Sequence, residues 1–208
     1  ELNGYFRHVY KVSTYCTTCE IIVCVKTHKH QLFIDIPPLQ IIEKKFSNGK
    51  TIKHLSNGFT AEFIGNIDNI MDKDPLNRYI TQSRVSTDRT CPKCSKQTCV
   101  DIYQLNSLSQ VLVLLFKKYS RKNSIKFPPI MTFNAMNNGK KENRHYKMIA
   151  QMEHQGNRHG GHYYATCLRK EGYVTLNDAR VSSNPNPSPT PYTYMVFYHI
   201  FDPLMPMS

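Results

Sequence analysis

The chain has 208 residues, 40% of them hydrophobic and 11% aromatic, with a formal net charge of +12 and a pI near 9.4. That composition excludes a disordered polar chain and allows one domain, or one domain with an appendage, to bury a core. The longest apolar run, Val111–Phe116, is far short of the roughly 18 residues needed to cross a bilayer, so no membrane-spanning helix is expected.

Nothing at the N-terminus reads as a signal peptide, and no Asn-x-Ser/Thr sequon with x other than Pro occurs. The chain begins at Glu1 instead of a methionine, as a processed product or a fragment would. Seven cysteines, an odd count that includes two close pairs, without secretory features, point to a reducing intracellular compartment, cytoplasmic or nuclear, and to metal binding instead of disulfides.

In chain order, residues 5–14 and 32–36 read as strands around the first cysteine cluster, the second ending at Pro37-Pro38. Residues 39–90 show turn signals at Asn48-Gly49 and Asn57-Gly58 and little periodicity. An irregular insertion is expected there, with a short helix near residues 67–71. Val111–Phe116 reads as a strand buried on both faces. Asn137-Asn138-Gly139-Lys140 is a turn, followed by a strand at 146–152. Strands at 162–168 and 173–176 join through a turn marked by Gly172. Residues 182–191 carry four prolines and form a loop, and an aromatic strand at 192–199 closes a mostly antiparallel β protein with a few helices.

Basic residues gather at Lys117, Lys118, Arg121, Lys122 and Lys126, and at Lys140, Lys141 and Arg144. Such clusters can meet nucleic acid, although a solvated face is the plainer reading and no aromatic interleaving accompanies them.

Cys16-Thr-Thr-Cys19 and Cys91-Pro-Lys-Cys94 are two C-x2-C pairs. Each holds two thiolates on one tight turn, and two such turns supply the four soft ligands of tetrahedral structural zinc. Four buried thiols without metal are the alternative. Cys24 and Cys99 follow their pairs at equal spacing and could lie close together, but four sulfurs already satisfy zinc. They are expected to be core or edge thiols, and Cys167 is expected to be structural.

His154-Gln-Gly156-Asn-Arg-His-Gly160-Gly161-His162-Tyr163 is the most informative stretch, with Asn177-Asp178 fifteen residues beyond His162. A loop histidine after two glycines, with a carboxamide or carboxylate on the next strand, is the base-and-orienter pair of a cysteine protease. Spacing alone leaves a solvent-exposed histidine as the alternative.

His154-x-Gly156, Gly161-His162-Tyr163, Leu176-Asn177-Asp178-x-x-Val181 and Tyr194-Met195-Val196-Phe197-Tyr198 together resemble the C-terminal signature of the ubiquitin-specific protease family. Val111 to Tyr119 and Tyr146 to Ala150 resemble two strands of that family, and the cysteine pairs fall where its zinc-bearing fingers fall. The resemblance implies an α+β, mostly antiparallel fold: a papain-like palm at about 106–200 and β fingers at about 5–38 and 88–105. An insertion at 39–87 and a tail at 201–208 complete it.

His162 would then be the general base and Asn177 the third triad member, with Asp178 as its substitute. Gly160, Gly161, His154 and Tyr163 would meet the Gly-Gly tail of ubiquitin or of a ubiquitinated protein. Cys16, Cys19, Cys91 and Cys94 would hold structural zinc. Tyr173 and Lys118-Tyr119 depart from the family's usual residues.

None of the seven cysteines has the Asn-x-x-Cys context of the family's thumb. The resemblance therefore implies that the nucleophile comes from a thumb segment of the same gene product or another chain, and that these residues alone are inert. Two alternatives remain. One is a non-catalytic ubiquitin-binding or scaffold protein, with the charge serving a nucleic-acid-containing assembly. The other is a zinc-dependent nucleic-acid binder unrelated to ubiquitin.

Overall fold

The computed structural model describes residues 3–31, 33–36, 40–45, 51–56, 80, 82–116, 127–137, 140–157 and 159–204. A helical turn, α1 (Asn3–Phe6), precedes β1 (His8–Cys16), β2 (Ile21–Gln31), β3 (Ile34–Ile36), β4 (Gln40–Lys45), β5 (Thr51–Ser56) and β6 (Gln82–Ser86). Then come β7 (Cys99–Ser107), β8 (Val111–Phe116), β9 (Ile130–Asn137), β10 (Lys140–Asn157), β11 (Gly160–Arg169), β12 (Gly172–Asn177), β13 (Arg180–Ser183) and β14 (Thr193–Phe201).

The strands form a four-stranded sheet ordered β2-β1-β7-β6 and an eight-stranded sheet ordered β13-β12-β11-β10-β14-β8-β3, with β9 beside β10. All pairings are antiparallel except β3 with β8, as expected for a mostly antiparallel β protein.

Val111–Phe116 lies between β14 and β3 and is buried almost throughout, because both of its faces carry Val, Leu or Phe. One core joins the two sheets. Tyr10 and Val12 of β1 pack with Leu112, Leu114 and Phe116 of β8 and with Phe133, Tyr146, Met148, Val196 and Tyr198. Polar groups of this core are satisfied by backbone: Tyr10 Oη donates to the Ile80 carbonyl at 2.9 Å, and Tyr198 Oη to the Pro128 carbonyl at 2.7 Å.

Three sequence expectations change. Tyr5 and Phe6 belong to α1, not to the first strand. Residues 39–90 are not wholly irregular: β4 and β5 pair as a hairpin from Lys45↔Thr51 outward, its connection carrying Asn48-Gly49, and β6 extends the four-stranded sheet. The Asn-Gly signal marked a hairpin, and the flanking strands were missed for want of strict alternation. Cys24 and Cys99 are not neighbours, because β1 lies between their strands. The expected helix at 67–71, residues 117–119 of the resembling strand, and the basic cluster at 117–126 lie outside the described residues.

Two bulges in the β10–β14 ladder aim side chains that matter below. The register runs Met148↔Tyr198 and then Ala150↔Phe197, so β10 gains one residue; it then runs Met152↔Met195 and Glu153↔Thr193, so β14 gains Tyr194. Before the first bulge Tyr146 and Met148 are the buried residues of β10, and after it Gln151 and Glu153 are. A one-residue insertion flips which alternate positions face inward.

Candidate active site and metal centre

Register and parity build the histidine site. Ala165 pairs with Leu176, which puts Asn177 opposite Tyr164, and Tyr164 shares a face with His162 two residues away. Asn177 is thus diagonal to His162 on one surface. His162 Nε2 lies 2.6 Å from Asn177 Oδ1 and 3.9 Å from Asp178 Oδ2. The histidine side chain is 44% exposed and Asp178 81%. Asn177 makes the hydrogen bond, and Asp178 stands beyond hydrogen-bond distance. Asp178 begins the two-residue loop between β12 and β13 with φ of 52°, a left-handed conformation that Asp tolerates.

Asn177 Oδ1 can only accept, so Nε2 carries the hydrogen and the neutral ring keeps its lone pair at Nδ1. An imidazole held in this tautomer, with Nδ1 free, can take a proton from a thiol brought to it.

His154 and Tyr163 pair directly across β10 and β11, and their rings stack at 4.3 Å with an interplanar angle of 23°. Tyr194, the bulged residue of β14, closes edge-on with centroids 6.3 Å from His154 and 6.1 Å from Tyr163. By strand parity this aromatic cluster is on the opposite face of β11 from His162 and Asn177.

Gly161 sits beneath the cluster: a Cβ there would lie 2.4 Å from His154 Nε2 and 2.7 Å from the Gln155 carbonyl. Its bareness is used by the protein's own His154. Gly160, by contrast, faces open space.

The histidine face carries a buried polar network that sequence reading missed. Glu153, 1% exposed, accepts from Gln151 Nε2 at 2.9 Å, Thr193 Oγ1 at 3.0 Å and Thr190 Oγ1 at 2.5 Å. Gln151 also donates to the Ser188 carbonyl at 3.3 Å, and Asn184 reaches Thr175 at 3.2 Å. These bonds bind the proline-rich connection 184–192 across the face, next to Tyr164. Burial and the nearby Glu153 carboxylate push the Tyr164 hydroxyl up from its ordinary range. No periodicity announces a glutamate in a strand core; only the bulges turn it inward.

In the four-stranded sheet, Cys16 ends β1, Cys19 lies in the following turn, and Cys91 and Cys94 form the turn before β7. Their four Sγ atoms lie within 4.8 Å of one another, with Cys16–Cys94 at 3.7 Å and Cys19–Cys91 at 3.9 Å. Tetrahedral zinc with Zn–S bonds of about 2.3 Å needs sulfurs about 3.8 Å apart, so the cluster fits zinc.

Backbone amides of Cys19 and Lys93 donate to Cys16 Sγ and Cys91 Sγ, each at 3.4 Å, which orients the two sulfurs and favours their thiolate form. The Thr98 hydroxyl, 3.5 Å from Cys16 Sγ, holds that thiol below its usual range, at about 6. The two turns are locked together by Thr17 N and Oγ1 on the Thr98 carbonyl at 3.0 and 2.9 Å. Among the described residues this is the one cluster of such ligands.

The other cysteines stand apart. Cys24 is exposed on β2, and Cys99 is buried beside the cluster, where burial pushes its thiol up. Cys167, the one cysteine of the eight-stranded sheet, follows His162 by five residues, about 17 Å along the strand and on its other face. Of the basic positions, Arg144 donates to the Leu108 carbonyl at 3.1 Å and lies 3.9 Å from Glu142. Among the described residues no helix is long and apolar enough to cross a membrane.

With this geometry in place, comparison with known proteins decides the family. The sequence matches the family model Ubiquitin carboxyl-terminal hydrolase over residues 6–198. The chain belongs to this family. Its fold is that of solved SAGA DUB modules. The Ubp8/Sgf11/Sus1/Sgf73 module bound to ubiquitin aldehyde aligns with a TM-score of 0.64 at 20% identity, covering 97% of this chain and 42% of that one. The module bound to monoubiquitin gives 0.63 at 19%, with the same coverage. A yeast module carrying a variant Sgf73 gives 0.62 at 18%, again over 97% and 42%. The present chain therefore spans less than half of the chains it matches. Among curated proteins, none matches.

Proposed function

We propose that these residues form the histidine-bearing part of a thiol-dependent deubiquitinase, which hydrolyses the peptide or isopeptide bond after the Gly-Gly tail of ubiquitin. The observation that carries this reading is the 2.6 Å bond from His162 Nε2 to Asn177 Oδ1 on adjacent strands. In this reading His162 Nδ1 takes the proton of a cysteine supplied by a segment other than these residues. The thiolate attacks the carbonyl carbon, His162 returns the proton to the leaving amine, and water then releases the acyl group. Asn177 keeps the ring in register, and Asp178, too exposed to replace it, adds a weak field.

Gly160, on the same face as His162 and with open space above it, meets the ubiquitin tail, while the Tyr163–His154 stack backs the strand from its other face. The four cysteines hold zinc as a closed structural site that braces the small sheet and leaves no coordination position for chemistry. Seven free thiols suit a reducing intracellular compartment. Two solved relatives are bound to monoubiquitin and to ubiquitin aldehyde, which supports ubiquitin as the partner.

The test is hydrolysis of a ubiquitin C-terminal fluorogenic amide. The 208 residues alone give no turnover, whereas the intact gene product does, and His162→Ala lowers its kcat by about 10²–10⁴-fold. Turnover by the isolated chain, or an intact product indifferent to His162→Ala, contradicts the reading. Ubiquitin binding without turnover in the intact product would instead favour a scaffold.

A further inference from the structure

Cys99 is a buried thiol, 3% exposed, that packs with Cys16 and Cys91 yet adds nothing to a complete four-sulfur set. Its place in the ladder is specific. Cys99 pairs directly with Cys16 across β1 and β7. One residue further on, the Thr17 amide donates to the Thr98 carbonyl at 3.0 Å, which makes Thr17 and Thr98 a hydrogen-bonded pair. Cys16 and Cys99 are therefore a non-hydrogen-bonded pair, whose Cα atoms stand about 4.5 Å apart with side chains closest. A disulfide accepts Cα separations of about 4.4–6.8 Å, so the two can be bridged without moving the strands far.

Resting on the zinc reading above, we propose that Cys16 and Cys99 are an oxidation site: hydrogen peroxide converts them to a cross-strand disulfide and so ejects the zinc. The Cys16 thiolate sulfur attacks a peroxide oxygen, the O–O bond breaks, and a sulfenic acid forms as hydroxide leaves. The Cys99 sulfur then attacks that sulfur, the S–O bond breaks and water leaves with the Cys99 proton. The thiolate and the thiol lose two electrons in total, and one peroxide becomes one hydroxide and one water.

While zinc is bound, Cys19, Cys91 and Cys94 are committed to the metal. Cys99 is the one thiol at the cluster free to resolve the sulfenic acid. Once Cys16 is bridged, three thiolates remain, an incomplete set for a closed site.

The experiment uses the zinc-loaded chain. Zinc content is measured first, and about one ion per chain is expected. Hydrogen peroxide is then added with a chromogenic zinc chelator, and disulfides are mapped by peptide mass under non-reducing conditions. The Cys16–Cys99 cross-link is expected to accumulate in step with released zinc. Cys99→Ser and Cys99→Ala, which keep all four ligands, should load zinc equally and release it several-fold more slowly.

Full zinc loading followed by bridges only among Cys16, Cys19, Cys91 and Cys94 overturns this proposal and leaves the zinc reading standing. An unchanged release rate in both variants does the same. Absence of zinc at the outset overturns both readings. The mapping on the unmodified chain decides even if the variants misfold.

Discussion

Asn177 Oδ1 accepts from His162 Nε2 at 2.6 Å, while the carboxylate of Asp178 stands 3.9 Å from the same nitrogen and largely in water. The carboxamide therefore fixes the ring by hydrogen bonding, with no full negative charge in contact. Placing that charge there makes the first prediction. Asn177→Asp adds a carboxylate in contact with the ring, and an adjacent opposite charge favours the imidazolium. The NMR spectrum of the His162 ring nitrogens at neutral pH should shift toward that of an imidazolium. Asp178→Asn should move it much less, being distant and solvent-screened. A larger response to Asp178→Asn than to Asn177→Asp would show that the partners are misassigned.

The second prediction concerns Glu153. Its carboxylate accepts from Gln151, Thr190 and Thr193, and the Thr190 bond, together with that of Gln151 to the Ser188 carbonyl, ties residues 184–192 to the face carrying His162. Glu153→Ala removes an acceptor from the buried Thr193 hydroxyl and from the half-buried Thr190 hydroxyl, at about 1–3 kcal/mol for the buried group and less for the other. Chemical denaturation should report that loss. Hydrogen exchange should show faster exchange at the amides of Thr190, Tyr192 and Thr193 than in the rest of β14. A uniform increase in exchange, with no local excess, would argue against a specific tether.

Acid should act through His8. The ring is fully buried in the four-stranded sheet, and desolvation pushes its pKa down from 6.5 to about 4. Because the folded form holds fewer protons, the unfolded state gains protons first as pH falls. Its contribution is present above pH 6.5 and is lost from there down to about 4. The full loss is about 3 kcal/mol, from about 1.36 kcal/mol per unit. His8→Phe, which cannot titrate, should flatten the unfolding free energy measured across that window. An equally steep acid limb in His8→Phe would place the sensitivity elsewhere.

Much of this protein could be read without coordinates, for identifiable reasons. The C-x2-C pairs announce themselves because metal chelation fixes spacing, and the buried Val111–Phe116 strand because two covered faces need an unbroken apolar run. The Gly160-Gly161-His162 box and Asn177 are legible as a motif, and strand register then explains why fifteen residues separate two touching side chains.

What stayed hidden depends on register shifts. No pattern in the chain marks the extra residue after Met148 or the outward bulge of Tyr194, yet these turn Glu153 into the core and bring Tyr194 to His154. Gly161 carries a different lesson. Its motif suggested clearance for a ligand, and the structure shows His154 of the same chain filling that space.

The proposed role of His162 is to serve a thiol lying outside these seven cysteines. It is tested most directly by reacting the intact gene product with a ubiquitin probe bearing an electrophile at its C-terminus, then mapping the labelled residue. One adduct is expected, on a cysteine other than the seven present here, with no adduct on the isolated 208 residues and loss of labelling at neutral pH in His162→Ala. An adduct on Cys24, Cys99 or Cys167 would contradict it.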